Sequence, residues 1–84
     1  MAFSISYKKS VEKDLAGLGK TGARRILDKL EKDLSTRANT YPLLHGDFAG
    51  LRKLRIGDYR VIFAVLGQDV VVLRIGHRRE IYDR

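Results

Sequence analysis

The second half of the chain restricts its fold most. Leu51–Ile56, Tyr59–Leu66 and Val70–Ile75 are three strand-like runs, separated only by Gly57-Asp58 and by Gly67-Gln68-Asp69. Breaks that short, each containing glycine, let a chain reverse and pair with itself but are too short for a crossover. The spacing therefore predicts an antiparallel meander of three strands. A meander has two faces, and in a small domain one of them must be covered by another layer.

The first half supplies that layer. Phe3, Ile5 and Tyr7 alternate with Ala2, Ser4 and Ser6, the period of a short half-buried strand. Ser10 is placed to cap a helix carrying Val11, Leu15 and Leu18, and Thr21 to cap a second. The second helix gathers Ala23, Ile26, Leu27, Leu30 and Leu34 into one apolar stripe, with Arg24, Arg25, Lys29 and Lys32 elsewhere around it. The stripe is too short for a coiled coil and reads as core. Residues 35–50 hold the only proline, fit no period, and read as a crossover from helices to sheet. The expected fold is α+β: a single two-layer domain over residues 1–84, with an N-terminal strand, a two-helix hairpin and a meander. The helices are expected to pack on one face of the sheet.

Composition then narrows function. The absence of cysteine excludes a disulfide framework, a zinc ribbon and a thiol nucleophile. Two histidines, His45 and His77, are too few for a typical structural zinc site. No apolar run reaches the roughly 18 residues of a membrane helix, and the first residues lack a signal core. A cytoplasmic protein with no membrane partner is the expectation. Seventeen Lys and Arg against ten Asp and Glu leave a net charge of +7, the footprint of a polyanion partner. Seven of the ten arginines lie within residues 49–84, and the arginine fork pairs bidentately with phosphate.

Strand alternation assigns faces to these cations. Placing Tyr59, Val61, Phe63 and Val65 against the helices sends Arg60 outward. By the same rule Leu54 and Ile56 point inward, sending Lys53 and Arg55 outward. Val71, Leu73 and Ile75 are expected inward, sending Arg74 outward. Three strands thus put cations on one open face, where like charges set side by side destabilise the sheet. An anion as intended occupant explains such a face better than solvation alone. No Asp/Glu pair falls on it, so two-metal phosphodiester cleavage lacks ligands, and no metal or cofactor is expected. Lys, Arg, His and Tyr remain. They suffice for RNA cleavage that uses the 2′-hydroxyl: a lysine crowded by cations as base, arginines for the developing phosphorane charge, and a tyrosine to hold an unstacked base. His77 is the near-neutral titrating group of this region.

The stretch GDFAGLRKLRIGDYRVIFAV, followed after a turn by VVVLRIGHRREIYDR, resembles the C-terminal half of the RelE/ParE toxin superfamily. The preceding strand and helical hairpin agree with it in order and length. The resemblance to the RelE branch implies a RelE-like fold and a toxin of a type II toxin–antitoxin system. It implies a ribosome-dependent mRNA endonuclease that cuts in the A site without metal. The partners it implies are a RelB-like antitoxin, the ribosome with its mRNA, and operator DNA only as the toxin–antitoxin complex. By position, Lys53 matches the candidate general base, Arg60 the arginine that stabilises the transition state, Arg78 the arginine near the leaving oxygen, and Tyr82 the stacking tyrosine. Arg52, Arg55, Arg74 and Arg79 become candidate phosphate contacts. Leu51 stands where studied RelE enzymes carry a second lysine, which raises His77 as an alternative proton-transfer group. The rival readings are a ParE-like inhibitor of DNA gyrase, and a catalytically weak basic nucleic-acid-binding relative.

Overall fold

A computed structural model describes residues 3–44 and 50–77. The order of elements is β1 (Ser4–Tyr7), α1 (Lys9–Ala16), α2 (Gly19–Arg37), a 3-10 turn (Ala38–Thr40), β2 (Arg52–Ile56), β3 (Tyr59–Leu66) and β4 (Asp69–His77). The expected α+β architecture holds, with both helices on one side of a single sheet. The two hairpin loops each begin with a glycine in the left-handed region, Gly57 at φ +59° and Gly67 at φ +65°, where a β-carbon would be strained. Among the described residues no helix is long and apolar enough to cross a membrane.

The sheet has four strands in the order β1-β4-β3-β2. β2, β3 and β4 form the antiparallel meander, and β1 adds to it parallel to β4, with Ser4 beside Asp69 and Tyr7 beside Val72. The helical hairpin makes that parallel return possible, since a tight turn cannot. Val11, Ile26, Leu30 and Leu34 from the helices bury against Leu54, Val61, Phe63, Val70, Val72 and Ile75 from the sheet. The α2 stripe is therefore core, as its period indicates.

Three local expectations are corrected. Neither helix is capped by a side chain. The Ser10 hydroxyl instead donates to the carbonyl of Leu73 at 2.7 Å, and Thr21 lies inside α2. α2 runs on to Arg37, and the segment after it is more than a crossover. Leu43 bridges Arg52, and the amide of Leu44 donates to the Leu51 carbonyl at 2.8 Å. Residues 42–44 thus extend the sheet beyond β2 and bring Leu44 onto the open face, against Ile62, Leu51 and Leu73.

The third correction concerns β4. Ile62 pairs with Arg74 but Phe63 pairs with Val72, so Leu73 is an extra residue in a β-bulge. Val70, Val72 and Ile75 therefore point to the helices, and Leu73 packs on the opposite face. A strict alternation along β4 had Val71 and Leu73 inward. One inserted residue reverses the phase of everything before it.

Candidate functional site: a cationic sheet face

Register places the open-face cations in two cross-strand rows. Lys53, Ile62 and Arg74 form one, and Arg55, Arg60 and Gly76 form the next. Strands lie about 4.8 Å apart, and rows on one face about 6.6–6.8 Å apart along the strand, so the charges share a small patch. Arg55 is exposed and its Nε reaches the Gly57 carbonyl at 3.4 Å. Arg60, in the central strand, is half-buried with its Nε shielded from solvent. Gly76 stands directly opposite Arg60, which leaves room there for a long side chain. Beside the cations, Ile62, Leu44, Leu51 and Leu73 give the same face an apolar half, of which alternation alone did not indicate Leu44 and Leu73.

Other candidates sit elsewhere. Arg52 pairs with Phe63 on the helix side of β2, and its Nη1 donates to the carbonyl of Tyr41 at 2.6 Å. That bond ties β2 to the segment following α2. His77 pairs with Tyr59, also on the helix side, and the two rings meet edge to face with centroids 5.8 Å apart. It lines a cavity of about 390 Å³ together with Lys13, Asp14, Leu18 and Tyr59. The sheet itself separates His77 and Arg52 from Lys53, Arg55 and Arg60. Arg74 occupies an open-face position, but its guanidinium is paired with Asp14 of α1. Arg78, Arg79 and Tyr82 lie outside the described residues.

Asp14 is the residue that sequence reasoning missed. Beyond Tyr7, β1 no longer covers the outer edge of β4, and α1 takes its place. The amide of Lys8 donates to Val72, the Ser10 hydroxyl to Leu73, and the Ile75 amide donates to Asp14 Oδ2 at 2.8 Å. These contacts satisfy backbone groups around the bulge that would otherwise lack partners. A signal did exist, because Ser10 and Asp14 are four apart and share a helix face with buried Val11.

The two-layer α+β fold is one already seen among solved toxins. The chain is similar in structure to a chain of the toxin–antitoxin complex RelBE2 from Mycobacterium tuberculosis, with a TM-score of 0.83, 23% identity, and 93% of each chain covered. It is similar to a mutant of the E. coli toxin RelE in the free state, with a TM-score of 0.71 and 23% identity over 96% of this chain and 88% of that one. It is also similar to the chromosomal ParDE system from P. aeruginosa, with a TM-score of 0.71 and 21% identity over 90% and 96%. Identities this low show a shared fold. No curated protein sequence matches the chain significantly. Residues 5–82 match the family of ParE toxins of type II toxin–antitoxin systems, parDE, and the chain belongs to that family, within the RelE/ParE superfamily.

Proposed function

We propose that this toxin is an mRNA endonuclease of RelE type that acts in the ribosomal A site and is held in check by a cognate antitoxin. The observation that supports this reading best is the direct opposition of Arg55 and Arg60 on an open face that also carries Lys53. Cations gathered this closely on one face attract a polyanion.

The proposed chemistry takes the roles of these residues from the family resemblance. The substrate's 2′-oxygen attacks the adjacent phosphorus, and its proton passes to the Lys53 amine. Arg60 and Arg55 donate hydrogen bonds to the phosphorane oxygens as negative charge builds. The bond to the 5′-oxygen then breaks, leaving a 2′,3′-cyclic phosphate, and the departing oxygen takes a proton from water. Arg78 and Tyr82 are assigned to the leaving oxygen and to base stacking by resemblance. His77 is on the wrong side of the sheet to share the proton transfer with Lys53. An antitoxin partner is supported by the complexes in which similar chains occur. Operator DNA belongs to that complex and not to this chain alone.

Mapping mRNA 5′ ends after adding the purified protein to programmed ribosomes, beside a free-RNA control, tests the reading. Cuts confined to A-site codons, unaffected by EDTA, are the expected result. Membership in the ParE family favours one second reading, inhibition of DNA gyrase. Intact message together with lost supercoiling activity would establish that reading instead.

A further inference from the structure

Arg74 stands on the open face, yet its guanidinium is turned away from it. The backbone lies in the same cross-strand row as Lys53 and Ile62. The side chain instead reaches over the edge of β4, where Nε and Nη2 donate to Asp14 Oδ2 and Oδ1 at 3.0 and 3.2 Å. Asp14 is well shielded, with 13% of its side chain exposed, whereas the Arg74 side chain is 50% exposed.

We propose that Asp14 is a latch on Arg74: it holds the guanidinium off the cationic face until a backbone phosphate of bound RNA draws it across, adding a phosphate contact. The proposal rests on reading the open face as an RNA site. Half of the Arg74 side chain stays in contact with solvent, so an incoming anion can reach the guanidinium. A phosphate offers the same planar fork two oxygens in bidentate geometry, so it is a competent rival for Asp14. Release leaves the sheet edge intact, because the bond from the Ile75 amide to Asp14 does not involve the Arg74 side chain. The bulge matters too, since the extra Leu73 sets Arg74 beside α1 while keeping it in the Lys53 row.

The test is binding of a short fluorescein-labelled single-stranded RNA across a salt series, using the full chain. Asp14→Asn retains an acceptor for the Ile75 amide but gives up the ion pair. It is expected to bind RNA more tightly, with a log–log salt slope steeper by about 0.7, or about fivefold at 0.1 M salt relative to 1 M. Glu12→Gln, an exposed charge loss on the same helix, reports the general effect of removing one negative charge. The gain of Asp14→Asn must exceed that of Glu12→Gln and must vanish in Asp14→Asn/Arg74→Ala. Equal gains for the two single variants, or a gain that survives the loss of Arg74, would overturn the latch. Failure of the underlying reading looks different: Lys53→Ala and Arg60→Ala would bind RNA as tightly as the unchanged chain. Thermal melting of each variant separates these outcomes from loss of fold.

Discussion

Arg55 and Arg60 face each other directly across β2 and β3, two guanidinium groups in register on the same side of the sheet. Like charges in that relationship oppose pairing. Arg60→Ala is expected to lower cleavage by about 10²–10³-fold, the usual loss for one donor to a developing oxyanion. Arg55→Ala should weaken cleavage less, and it should raise stability by about 0.2–1 kcal/mol as the repulsion is relieved. Single-turnover cleavage on programmed ribosomes and urea melts report the two effects. An Arg55→Ala protein that melts well below the unchanged chain would contradict the open-face assignment.

His77 gives the opposite pattern. His77→Ala removes an edge-to-face ring contact with Tyr59 and should cost about 0.5–1.5 kcal/mol. Cleavage at a temperature where the variant is folded should stay within a few-fold of normal. A collapse of cleavage in a well-folded His77→Ala protein would return this histidine to the chemistry.

Arg52 is expected to behave likewise. Arg52→Ala loses the bond to the Tyr41 carbonyl, a charge-assisted contact in a half-buried setting worth about 1.5–3 kcal/mol. The salt dependence of RNA binding should scarcely change, whereas Lys53→Ala should flatten it by about 0.7 in slope.

Tyr7 predicts behaviour at alkaline pH. Burial, then its hydrogen bond to Glu31 at 2.5 Å and the charge of that carboxylate, hold the phenol well above its usual range. The folded state thus favours the neutral phenol, and the unfolded chain ionises first, near pH 10. The stability this contributes is fully present below about pH 10 and is lost as pH rises beyond it. Denaturation midpoints from pH 8 to 11.5 should fall more steeply for the unchanged chain than for Tyr7→Phe.

Most of the architecture was legible because it rests on local periods. The glycine breaks at 57 and 67 mark both hairpins, the α2 stripe marks the buried helix face, and Tyr59–Val65 marks the inner face of β3. Lys53, Arg55 and Arg60 follow from the same alternation. The same alternation sets Arg52 with Leu54 and His77 with Ile75 on the helix side.

What the sequence determines by itself, then, is the set of elements, their two-layer class and the charge of the open face, since each is encoded within a few residues. Tertiary structure decided three other things: the parallel pairing of β1 with β4, the bulge at Leu73, and the turning of Arg74 to Asp14. The first and third join groups sixty or more residues apart in sequence, and Ser10 and Asp14 bond to Leu73 and Ile75 beside the bulge across a similar separation. A period of two is a property of one strand. Where that period slips, and which partner takes the hydrogen bonds it leaves, is fixed only when another element packs alongside.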